Sequence, residues 1–140
     1  MTLGEGEHEV LVPGTASGAV LSLGAPLSFW GGVRESDGVI IDVHHPQQGQ
    51  SVAGRVLVMP SGRGSSSSSS VLAELIRAGV GPAAILLGER DAILVIGAMV
   101  AEELYRKTVP IIVLSPAEYA RCRGAAALSV SRGGEVRDIA

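Results

Sequence analysis

Three apolar runs constrain this chain more than any other feature: Val56 to Met59 behind Arg55, Ala83 to Leu87, and Val109 to Leu114. Each is too short for a helix and too continuously apolar for a strand with one wet face. Each therefore reads as a strand buried on both sides. Helical patterns lie between and after them. Val71, Leu72, Leu75 and Ile76 recur at helical spacing, with Gly79 placed as a C-cap. Ala92 to Leu104 has the length and composition of a helix, although Ile93, Val95 and Ile96 also suit a strand. Ser115-Pro116-Ala117-Glu118 supplies an N-cap, a proline at the first helical position and the acid of a capping box, opening a helix to about Arg123. Strand and helix thus alternate from residue 55 onward, the pattern of an α/β domain with a parallel or mixed sheet.

The first third is richer in strand signals. Val10 to Pro13, Gly18 to Leu23 and Val39 to Val43 read as strands, the last one ending at His44-His45-Pro46. Ala127 to Ser131 reads as a final strand before a turn at Gly133-Gly134. Residues 1–9 are polar and glycine-containing, and read as the frayed end of a single domain spanning 1–140. Aromatics make up only 3% of residues, so the core must be built from Val, Ile, Leu and Ala. Phe29 and Trp30 read as packing residues, and Gly31-Gly32 as a tight turn, with a role lining the catalytic cleft as the alternative for this stretch.

Charge and cysteine content narrow the function. The formal net charge is −3 and no basic stripe is present, which argues against nucleic acid and anionic membrane surfaces as partners. No apolar run approaches the length that spans a bilayer. Glu5, Glu7 and Glu9 stand where a signal peptide would carry lysines, so a cytoplasmic location is the expectation. Cys122 is the only cysteine, so any iron–sulfur cluster would need ligands from another chain. Cys122 itself reads as a helix residue without a chemical role. His44 and His45 read as loop residues rather than joint metal ligands, because neighbours on a strand point to opposite faces. Glu102 and Glu103 read as solvated, and Asp42 as a weak candidate for orienting a site group.

The informative motif is Pro60-Ser61-Gly62-Arg63-Gly64-Ser65-Ser66-Ser67, a glycine loop between a buried strand and a helix. Glycines allow close approach of the backbone, a helix start offers unpaired amides and partial positive charge, and Arg63 adds a planar cation. Together these suit an anion such as a substrate carboxylate. The same residues also make an ordinary capped turn. No lysine follows the glycines as in a phosphate-binding P-loop, and Ser67 stands where a dinucleotide fingerprint needs its third glycine.

Pro-Leu-Ser-Phe-Trp-Gly-Gly-Val at 26–33, Ile-Asp-Val-His-His-Pro at 41–46, the stretch from Ser51 through Ser67, Gly81 to Ile85, and Ile96 to Leu104 together resemble the aconitase X small subunit. The resemblance implies an α/β fold, the swivelling β/β/α domain that corresponds to the mobile domain of aconitase. It implies a hydro-lyase that eliminates water from a hydroxy acid and is active only with a large subunit. That partner would ligate an iron–sulfur cluster, which this chain would not. Such a reaction needs a base for the carbon-bound proton and a Lewis acid for the departing hydroxyl. In the family the first serine after the glycine–basic–glycine stretch is the proton acceptor, here Ser65. Arg63, Gly64, Ser66 and Ser67 are then the expected substrate-binding residues. The loop and the His-His-Pro stretch look like the type that converts cis-3-hydroxy-L-proline to a pyrroline-2-carboxylate. The alternatives are the small subunit of phosphomevalonate dehydratase, acting on mevalonate 5-phosphate, and a stand-alone anion-binding or regulatory domain.

Overall fold

In the computed structural model, which describes residues 8–139, the chain runs β1 (Glu9–Val12), β2 (Ala16–Ser22), α1 (Phe29–Gly32), β3 (Val56–Met59), α2 (Ser67–Ala78), β4 (Ala84–Leu87), α3 (Ala92–Tyr105), β5 (Ile111–Val113), α4 (Pro116–Arg123), β6 (Ala127–Val130) and β7 (Val136–Asp138). The seven strands form one mixed sheet in the order β1-β5-β4-β3-β2-β6-β7. The three continuous apolar runs become β3, β4 and β5, parallel to one another, with every residue buried.

The period of two along a strand explains why those runs do not alternate. Leu57, Met59, Ile85, Leu87, Ile111 and Val113 face one side, where Leu72, Leu75, Ile76, Leu94, Ala98 and Ala101 of α2 and α3 cover them. Val56, Val58, Ala84, Leu86, Ile112 and Leu114 face the other, packed with Cys122 of α4 and with Leu128 and Val130 of β6. Antiparallel strands close both ends: β1 on β5, and β6 with β7 beyond β2. Strand β2 serves two neighbours in turn. Its first half pairs with β6 and its second half runs parallel to β3.

The ambiguous segment at Ala92 is helix, started by Asp91, whose side chain accepts a hydrogen bond from Leu94 N–H. Gly79 caps α2 in the left-handed conformation, and the capping box at Ser115 and Glu118 is complete. Val39–Val43 is not a strand. Val39 and Ile40 make isolated bridges to Ser51 and Val33, and the chain then turns at Asp42, which accepts from His44 N–H through its side chain. A β-branched run has here lost to side-chain capping of a turn. Strand β7 was not anticipated, because three residues pairing only with β6 leave no sequence pattern. Of the nine residues expected as a frayed end, 1–7 lie outside the described part. Glu9 opens β1, and His8 Nδ1 lies 3.0 Å from a Glu118 carboxylate oxygen.

That contact links the first strand to α4. Partial burial pushes the Glu118 carboxyl up, but Ser115 N–H and the His8 ring more than offset it, so its pKa falls below the ordinary value. A carboxylate with a depressed folded-state pKa adds stability above its unfolded value, about 4.3, and loses that contribution as pH falls through the folded one. Glu118→Gln can keep the return hydrogen bond of the capping box through its one carbonyl oxygen, while removing the charge and one of the two oxygens that face His8. It is expected to lower stability by about 0.5 kcal/mol at pH 7, measured by urea unfolding, with the difference from the parent narrowing as the pH falls below the ordinary carboxylate value. An undiminished gap at pH 3 would refute the charge argument.

Candidate active site

The candidate site forms where β3 hands over to α2. After Pro60 the chain runs beside the segment that precedes α1: Gly62 bridges Leu27, and Arg63 N–H donates to Leu27 C=O at 3.2 Å. Gly64 has φ +109°, a region that side chains avoid. The position where a side chain would begin there is occupied by the hydroxyl of Ser28, with the Ser68 hydroxyl 3.4 Å away. Gly64→Ala is therefore expected to cost about 2 kcal/mol. A urea midpoint equal to the parent's would show that the loop shifts freely.

Beyond Gly64 the chain begins to wind. Ser65 C=O accepts from Ser68 N–H at 3.0 Å, and Ser66 C=O from Ser69 N–H at 3.1 Å. Ser66 is the formal N-cap but makes no side-chain cap. Instead Ser65 Oγ accepts from Ser67 N–H at 3.3 Å. That contact sets the hydroxyl oxygen at the positive end of a 12-residue helix. Arg63, Gly64, Ser65, Ser66 and Ser67 are all exposed, so the expected site residues share one solvent-facing loop. Ser68, one residue further, is only 3% exposed.

Several expectations for single residues change. Trp30 is not a packing residue: it is 60% exposed, while its neighbour Phe29 is fully buried. Trp30 N–H donates to Ser68 Oγ at 3.2 Å, which ties the Trp-Gly-Gly segment to the first turn of α2. His45 is not a surface residue. It is buried, its Nε2 contacts Ala25 C=O at 3.1 Å, and its Nδ1 accepts from Gln47 N–H at 3.0 Å. His44, Glu102 and Glu103 are exposed. Asp91 went unnoticed in the sequence. It starts α3, and its carboxylate lies against Gly62, where no side chain would fit. An aspartate before an apolar run is a cap signal that would have located it.

The residues present do not fit a metal cluster. Among the described residues no three His, Cys, Asp or Glu side chains gather. Cys122 is buried within α4, and burial pushes its thiol up, away from the thiolate that ligates iron. Among the described residues no helix is long and apolar enough to cross a membrane.

A mixed sheet covered by helices, with an exposed glycine–serine loop at a strand–helix junction, defines an α/β domain. The family profile described as aconitase X swivel domain matches residues 5–137, and the chain belongs to that family. It is 54% identical over 101 residues to the cis-3-hydroxy-L-proline dehydratase of Pseudomonas aeruginosa, covering 72% of this chain and 17% of the relative. It is 40% identical over 91 residues to the phosphomevalonate dehydratase small subunit of Pyrococcus furiosus, covering 65% and 68%. It thus spans only about a sixth of the Pseudomonas dehydratase and about two thirds of the Pyrococcus small subunit. The crystal structure of Thermococcus kodakaraensis aconitase X in its holo-form superposes with a TM-score of 0.81 at 30% identity, covering 96% of this chain and 97% of that one. The expected fold is the observed one.

Proposed function

We propose that this chain is the small, swivelling part of an aconitase X-type hydro-lyase, with Ser65 as the proton acceptor. The observation that carries this reading is the exposed Ser65 hydroxyl, held by Ser67 N–H at the start of α2. Arg63, Gly64, Ser66 and Ser67 present cationic and polar groups on the same loop, suited to a substrate carboxylate. The carboxylate acidifies the adjacent carbon. Ser65 takes that carbon's proton, the electron pair forms the double bond, and hydroxide leaves from the neighbouring carbon. Serine is a weak base at its ordinary pKa, so the helix-start amide and Arg63 must favour its anion.

The site is incomplete on this chain. In this reading a large subunit brings the rest of the pocket and the cysteines of an iron–sulfur cluster, and the assembly works in the cytoplasm. The higher identity to a cis-3-hydroxy-L-proline dehydratase than to the Pyrococcus small subunit supports that hydroxy acid as substrate, with mevalonate 5-phosphate as the alternative. The deciding experiment co-expresses the chain with the large subunit encoded in the same genome. The purified pair is then assayed on both compounds. Activity on cis-3-hydroxy-L-proline by the pair, and by neither part alone, is the expected result. Activity only on mevalonate 5-phosphate would replace the substrate, and a chain that binds carboxylates but never a partner would leave an anion-binding domain.

A further inference from the structure

Trp30 is the one tryptophan in the chain, and the fold displays it. Its φ and ψ of −73° and 119°, followed by 78° and −13° at Gly31, are those of a type II turn, which requires glycine at its third residue. Trp30 thus sits at the turn tip, while Phe29 beside it anchors the segment in the core. Both polar groups of its backbone are held. Its N–H donates to Ser68 Oγ at 3.2 Å, and its C=O accepts from Ser28 Oγ at 3.0 Å. The same two serine side chains enclose Gly64, the residue before Ser65. One pair of hydroxyls therefore holds the tryptophan backbone and packs against Gly64 at the start of the serine loop. A large apolar ring left in water beside a polar loop gains nothing for folding. A turn whose backbone is already held suits contact with a ligand, because little backbone freedom remains to be lost on binding.

We propose that Trp30 is a specificity-determining contact of the site, its indole face receiving the ring ammonium of a cyclic amino-acid substrate whose carboxylate lies on the Gly64–Ser67 loop. The inference rests on the dehydratase reading above and deepens it. An amino acid carries its anion and its cation on the same carbon, so a cation acceptor belongs directly beside the anion site. Asp42 and Asp91, both near this part of the chain, each already accept from a backbone N–H, of His44 and Leu94. An indole attracts a cation through its negative face without binding the carboxylate, and it shelters the ring methylenes. A phosphate ester without a cation gains nothing from it, so the residue discriminates between the two candidate substrates.

The test uses the co-expressed pair with Trp30→Leu and Trp30→Phe. Trp30→Leu is expected to raise KM for cis-3-hydroxy-L-proline about tenfold and to leave kcat within about twofold. Trp30→Phe keeps an aromatic face and most of the affinity, and both variants co-elute with the large subunit. A purely structural role would move kcat and co-elution as well. Unchanged KM in Trp30→Leu overturns the proposal, as does an equal rise in both variants. Lost co-elution with KM restored by excess large subunit would make Trp30 a partner contact and overturn it too. A parent pair inactive on cis-3-hydroxy-L-proline removes the substrate reading and this inference together. A parent that is active, with Trp30→Leu indistinguishable from it, removes only the inference.

Discussion

Ser65→Ala in the assembled enzyme is expected to lower turnover by about 10³-fold, the scale at which a positioned base contributes. Nothing else about the chain should change much. Ser65 is exposed, and its hydroxyl accepts one amide hydrogen bond that water can replace. Stability is therefore expected to stay within about 0.5 kcal/mol of the parent, and co-elution with the large subunit to persist. The measurements are steady-state turnover, urea unfolding and gel filtration on the same preparation. Near-parent turnover with intact assembly would remove Ser65 from the chemistry and return the loop to a substrate-holding role. Loss of assembly would instead make Ser65 a contact with the partner.

Leu72→Ala should have the largest effect on folding. Leu72 is fully buried on α2, packed in the core cluster beneath that helix, and its Cβ lies beside Gly97 of α3. Truncation removes apolar contacts and leaves a space that two helices and the sheet cannot readily close. The expected loss is about 3 kcal/mol, seen as a lowered urea midpoint with unchanged slope. The serine loop should still be presented, because its local hydrogen bonds do not involve Leu72. Turnover per folded enzyme is therefore expected to remain close to the parent's. A loss below about 1 kcal/mol, under the range for buried Leu→Ala changes, would show that the helices repack around the vacancy.

These two substitutions divide along what the sequence showed. The core strands were legible because Val56–Met59, Ala84–Leu87 and Ile111–Val113 are buried on both faces and leave no alternating pattern. Helix ends were legible where caps are chemical, as at Gly79 and at Ser115 with Glu118. The serine loop was placed correctly between strand and helix for the same reason: glycine and proline punctuate locally. Val39–Val43 misled because β propensity is a weak preference, and the Asp42 turn outweighed it. His45 gave no sign of burial, since Gln47 N–H is a local partner but Ala25 C=O, 20 residues away, comes within reach only when the turn folds back on it.

Local chemistry, carried by neighbours within a few positions, thus determined from sequence alone the three core strands, the capped ends of α2 and α4, and the place where a glycine–serine loop joins strand to helix. Tertiary structure alone decided the strand order, with β2 rather than β1 beside β3, and the encounter of Trp30 with Ser68 across 38 residues. Such meetings depend on which buried faces pack together. Packing is a property of the whole core, so no single stretch of chain encodes it.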